Sequence, residues 1–121
     1  MKRLLVVDDS PTVRRQVREA LRETGFEIVE APDGVDGAAQ IEEDRRIAMV
    51  ICDVNMPRMN GLQMLEKVML DPTNAALPVL MLTTEGQSEM MDRAKALGAK
   101  GWLIKPFKAA LLVAADTKLA L

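Results

Sequence analysis

Five short runs rich in Val, Ile and Leu recur along this chain, and each is followed by a stretch with helical spacing. The runs cover residues 4–7, 26–29, 48–52, 79–82 and 101–104. They lack clean polar alternation, which suits strands buried on both faces of a parallel sheet. Val13, Val17, Ala20 and Leu21 recur at helix spacing, and Gly25 stops that pattern. Asp33 can cap a helix carrying Val35, Ala38, Ala39 and Ile41; Asn60 can cap one carrying Leu62, Leu65 and Met69, with Pro72 past its end. Met90, Met91, Ala94 and Leu97 form a fourth stripe closed by Gly98, and Phe107, Leu111, Ala115 and Leu119 form a fifth. Such stripes are the core-facing sides of amphipathic helices. Strand then helix, five times within 121 residues, predicts a single α/β domain with right-handed crossovers and helices on both faces of the sheet.

Open sheets of this kind bind ligands beyond the carboxyl ends of their strands. Here the first run ends in Asp8-Asp9, the third in Asp53, the fourth in Thr83-Thr84 and the fifth in Lys105-Pro106. Capping accounts poorly for this set, because Ser10 before Pro11 already supplies a cap and a first helical residue. Clustered carboxylates repel one another unless a cation sits among them. A hard divalent ion with oxygen ligands answers that need, and magnesium suits a few carboxylates plus water. Carboxylates, a hydroxyl, an ammonium and magnesium together suit phosphoryl transfer.

The rest of the inventory narrows the chemistry. There is no histidine and one cysteine, Cys52, which excludes Ser-His-Asp and Cys-His pairs, disulfides within the chain and most zinc sites. Trp102, Phe26 and Phe107 are the only aromatics, and the net charge is −2, a poor basis for nucleic-acid binding. The first turn, Asp8-Asp9-Ser10-Pro11-Thr12, carries no glycine and two negative charges, which argues against a phosphate-cradling nucleotide loop. No apolar run approaches the roughly 18 residues that span a bilayer, and the N-terminal one is too short for a signal peptide, so a cytoplasmic location is expected. The charge run Glu42-Glu43-Asp44-Arg45-Arg46 reads as a solvated helix end.

Taken together, Asp8-Asp9, Asp53-Val54-Asn55-Met56-Pro57 with Gly61, Thr83, and Lys105-Pro106 resemble the receiver domains of bacterial two-component response regulators over essentially the whole chain. The stretch Asp53-Val54-Asn55-Met56-Pro57, and residues 99–107, look like the single-domain, CheY-like chemotaxis subgroup. The resemblance implies a doubly wound, flavodoxin-like (βα)5 fold with strand order 2-1-3-4-5, and one receiver domain over residues 1–121 with no output domain. It implies Asp53 as phosphoacceptor from a sensor histidine kinase. Asp9 and Asp53 would ligate Mg2+ directly, Asp8 mostly through water, and the Asn55 backbone carbonyl would complete the protein ligands. Thr83 and Lys105 would contact the phosphoryl group, and the Lys105-Pro106 bond would be cis. Trp102 takes the place of the family's switch aromatic, on an output face formed by the fourth helix, fifth strand and fifth helix.

Asn55 and Glu85 occupy the positions that tune dephosphorylation. Asn55 also stands where phospho-aspartyl hydrolases need an acid, so turnover on outside substrates is not expected. The expected function is a switch that binds a downstream protein, with no nucleic acid or membrane partner, as a monomer or weak dimer. Chemotaxis through a flagellar motor switch is the leading setting. A phosphorelay shuttle or phosphate sink in another pathway, a hydrolase, and an inactive interaction scaffold are the alternatives.

Overall fold

The computed structural model describes residues 2–84 and 88–120, without the side chains of residues 116, 117, 119 and 120. Five strands, β1 (Arg3–Val7), β2 (Glu27–Ala31), β3 (Ile47–Cys52), β4 (Val79–Thr83) and β5 (Gly101–Ile104), form one parallel sheet in the order β2-β1-β3-β4-β5. They alternate with α1 (Pro11–Ala20), α2 (Gly34–Glu43), α3 (Gly61–Met69), α4 (Ser88–Ala96) and α5 (Ala109–Ala120). The expected doubly wound α/β fold and its strand order are both present.

Burial explains why the strands read as continuous apolar runs. Leu5, Val7, Val50, Cys52, Val79 and Met81 point into one core layer with residues of α2, α3 and α4. Leu4, Val6, Met49, Ile51, Leu80 and Leu82 point into the other, with Val17 of α1 and Leu112 of α5. Each central strand therefore feeds apolar side chains to both faces. Glycine permits close packing at one crossing, where a Cβ on Gly37 would lie 2.9 Å from Met64 Sδ and 3.0 Å from a Val7 methyl.

Local chemistry fixes three helix starts. Ser10 accepts from Val13 N–H ahead of Pro11, Asp33 accepts from Asp36 N–H, and Asn60 with Gln63 makes a reciprocal capping box. Three readings need correction, and one short turn is added to them. The second strand runs from Glu27 to Ala31, two residues beyond its apolar run, because β1 pairs with it through Val6↔Glu30 and Val7↔Ala31. Phe107 is not part of α5, which begins at Ala109; the ring packs on the α1–α5 layer from the preceding loop. A single 3-10 turn, Pro72–Asn74, capped by Asp71, follows α3. Asp44 is not merely solvated: it holds Arg3 Nη1 at 2.6 Å, linking the end of α2 to the start of β1. Leu119 lies where side chains are outside the described set, and Glu85 lies outside the described residues altogether.

Candidate phosphoryl-transfer and metal site

The sheet's own ladder carries the acidic residues to one rim. Asp8 N–H donates to Ala31 O at 3.0 Å and Asp53 N–H to Val7 O at 2.9 Å, each one residue past its strand. At the other side, Lys105 N–H donates to Thr83 O at 2.7 Å, just past β5. The lysine side chain then reaches across β4 and β3: Nζ lies 2.7 Å from Asp8 Oδ2 and 3.4 Å from Asp53 Oδ2. The Lys105-Pro106 peptide is cis, as expected. Asp8, Asp53 and Thr83 are buried, whereas Asp9 and Asn55 are exposed at the mouth.

The β3–α3 loop is held close to the acceptor. Val54 N–H donates to Asp53 Oδ1 at 2.8 Å, and Gly61 N–H donates to Val54 O at 2.8 Å. A Cβ on Gly61 would overlap the Asp53 carbonyl oxygen, so only glycine lets α3 start there. On the β1 side, Ser10 N–H donates to Asp8 Oδ1 at 2.9 Å. Arg14 Nη1 donates to the Asp8 carbonyl at 2.6 Å while its Nε pairs with Glu30 Oε1 at 2.9 Å. Arg14 went unnoticed in the sequence. The partnership depends on α1 lying across β2, and only the β1–β2 register would reveal it.

The electrostatics favour a cation. One oxygen each of Asp8, Asp9 and Asp53 lie within 4.8 Å of one another. Three ionised carboxylates against the Lys105 ammonium leave a net charge of −2. Burial, and then the Asp8 charge, push the Asp53 carboxyl above its usual range, with Lys105 and the Val54 N–H pulling the other way. Asp8 is engaged at both oxygens, and Asp53 accepts Val54 N–H at Oδ1 with Lys105 at a longer 3.4 Å from Oδ2, so the exposed Asp9 has the most available lone pairs. All these donors are hard oxygens, a set that fits a divalent cation such as magnesium.

Trp102 sits on the same sheet face as Thr83. It pairs with Met81 on β4, two residues before Thr83, and packs against the α2–α4 core layer. Its Nε1–H is buried without a hydrogen-bond partner among the described residues. The ring forms one wall of a cleft of about 320 Å3 between α4 and β5, lined also by Met91, Ala94, Lys95 and Lys100. Among the described residues no helix is long and apolar enough to cross a membrane.

The comparisons with known proteins agree with this geometry. Chemotaxis protein CheY1 of Helicobacter pylori is 38% identical over 106 residues, covering 87% of this chain and 86% of that protein. The chemotaxis protein CheY homolog of Campylobacter jejuni is 36% identical over 106 residues, covering 87% and 82%. Among solved structures, chemotaxis protein CheY4 of Vibrio cholerae matches with a TM-score of 0.91 and 37% identity over 98% of each chain. A putative response regulator from Chloroflexus aurantiacus matches with a TM-score of 0.91 and 32% identity, covering 98% and 97%. The model of the response regulator receiver domain matches residues 4–116, with the acidic rim, Thr83 and Lys105 inside the match, and the chain belongs to that family as a CheY-like member.

Proposed function

We propose that this chain is a phospho-aspartate signalling switch, phosphorylated on Asp53 by a sensor histidine kinase and read by a downstream protein. The observation that carries the reading is the placement of Asp53: a buried carboxylate with Lys105 Nζ 3.4 Å from Oδ2 and the Asp8 and Asp9 oxygens close by. Asp53 Oδ1 accepts the Val54 N–H, which leaves Oδ2 as the nucleophile. Oδ2 forms the new bond to phosphorus; the bond from phosphorus to the donor imidazole breaks, and its electron pair stays on that nitrogen.

Asp9, Asp53 and the Asn55 carbonyl would hold Mg2+, with Asp8 contributing its charge from behind them. The bound ion supplies charge neutralisation at the carboxylates and phosphoryl oxygens. Lys105 Nζ turns from Asp8 to a phosphoryl oxygen, and the Thr83 hydroxyl donates to another. That contact exists only in the phosphorylated state, so it shifts a population already present. Thr83 and Trp102 share a sheet face, and the shift changes the α4–β5–α5 surface that selects the target. Asn55 in place of a second acid beyond Asp53 supports self-dephosphorylation without turnover on outside substrates. The chemotaxis names of relatives at 36–38% identity support a motility setting, with a flagellar motor switch as target, in the cytoplasm.

The test is an intact mass after incubation with Mg2+ and a small-molecule phosphodonor. One phosphoryl addition is expected in the wild type and none in Asp53→Asn. An unmodified wild type, or an equally modified variant, would sink the reading.

A further inference from the structure

The acceptor loop is fastened twice, and its second fastener belongs to no role assigned above. Arg58 donates Nε to Asp33 Oδ2 at 2.8 Å and Nη2 to Asp33 Oδ1 at 3.1 Å, a bidentate fork. The Asp33 side chain is only 8% exposed and also caps α2 through Asp36 N–H. Beside it, Gly34 N–H donates to Met59 O at 3.1 Å, and a Cβ on Gly34 would lie 2.6 Å from that oxygen. The β3–α3 loop is therefore clipped to the start of α2 at Arg58-Met59 and to its own base by Gly61 N–H on Val54 O. Asn55 lies between the two clips. Arg58 itself has φ 66, a left-handed conformation that non-glycine residues rarely adopt, so the loop's shape is imposed by its contacts and not by local preference.

From this we infer that Arg58 is a positioning residue for the divalent cation: through its fork to Asp33 it holds the β3–α3 loop so that the Asn55 backbone stays in place beside Asp53. The inference rests on the reading that Asp9, Asp53 and Asn55 hold that ion. Its fork is to Asp33, and it acts by limiting where the loop can go before the ion arrives, as outer-shell groups do for metal ligands.

The sign of one measurement separates this role from the two ordinary ones. As a point charge, Arg58 repels a nearby cation, so Arg58→Ala would tighten Mg2+ binding if charge were all that mattered. As a mere structural tie, it would lower the melting temperature in chelator and leave Mg2+ affinity alone. As a positioning residue, its loss weakens Mg2+ binding.

The experiment is calorimetric titration of Mg2+ alone into the unphosphorylated full chain, for wild type, Arg58→Ala, Asp33→Asn and the double variant. Asparagine at 33 keeps an oxygen to cap α2. The expected loss is about fivefold in Mg2+ affinity for Arg58→Ala, less than the roughly 10- to 100-fold typical of outer-shell partners because the Arg58 side chain is 60% exposed. Asp33→Asn should also weaken binding, and the double variant should be no weaker than the worse single one, as required of two ends of one contact. Unchanged or tighter binding in Arg58→Ala, or additive losses in the double variant, would overturn the inference while leaving the function reading intact. Failure of the wild type to bind Mg2+ would overturn both.

Discussion

The acidic rim and the α4–β5–α5 face are built on the same sheet and held to different standards. At the rim, Asp8 and Asp53 are buried and accept defined hydrogen bonds, and a glycine admits the backbone of α3 against Asp53. Across the sheet, α4 buries only Ala94, β5 is half-buried at best, Ile104 and Leu111 are exposed, and Trp102 hides an N–H that nothing among the described residues accepts. Dense, satisfied packing fixes one geometry, whereas sparse packing and an orphaned donor leave room for a second one. A site for chemistry needs the first property and a surface that changes shape needs the second.

The steepest way to break this contrast is to compare two glycines. Gly61→Ala drives a Cβ onto the Asp53 carbonyl, backbone against backbone, and should cost more than about 3 kcal/mol in urea unfolding. Gly98, at the end of α4, has φ 113 and would place a Cβ 3.2 Å from the flexible Met69 side chain. Gly98→Ala should cost about 1–2 kcal/mol, from backbone strain. Equal losses at the two positions would mean that the rim is no more tightly specified than the face.

Within the face, adjacent residues of α5 sharpen the same point. Leu112 is fully buried among Leu4, Met49, Ile51 and Leu82, while Leu111 is 54% exposed. Leu112→Ala should cost about 3 kcal/mol, as large-to-small core changes do. Leu111→Ala should change stability by less than about 0.5 kcal/mol. It should lower target binding in a pull-down with phosphorylated protein, and unchanged capture would remove Leu111 from the proposed output face.

How much of this was legible in the sequence depended on distance along the chain. Ser10, Asp33 and Asn60 were readable as caps because a cap bonds a residue two or three positions on. The acidic rim was readable because strand ends in a parallel sheet fall on one edge whatever their exact register. The ion pairs from Arg3 to Asp44, Arg14 to Glu30 and Arg58 to Asp33 join different elements 16 to 41 residues apart, and no local pattern marks them. Phe107 continued the α5 stripe by spacing alone, but the chain turns at cis-Pro106 and the helix starts two residues after Phe107. The orphaned Trp102 N–H is a property of one side-chain orientation and has no sequence signature.

Both regions carry one unfavourable group, and pH tells them apart. In the folded chain the Asp53 carboxyl is raised above its usual range by burial and then by Asp8. A raised carboxyl contributes its full stability below the unfolded value near 3.9 and loses it as pH rises through its own folded value. At pH 7 wild type therefore bears a penalty that it escapes at low pH. Asp53→Asn removes the charge, keeps an oxygen for the Val54 N–H and leaves Lys105 its partner Asp8, so it should gain on the order of 1 kcal/mol at pH 7. The gain should shrink as pH falls and vanish below about 4. Trp102→Phe removes the buried N–H at some loss of ring contact, and its effect, within about 1 kcal/mol, should be the same at both pH values because indole does not titrate there. Urea midpoints at pH 7 and pH 4 check both. A gain in Asp53→Asn that is undiminished at pH 4 would mean the rim's penalty is steric and not charge, and the contrast between a chemically poised rim and a mechanically poised face would fail.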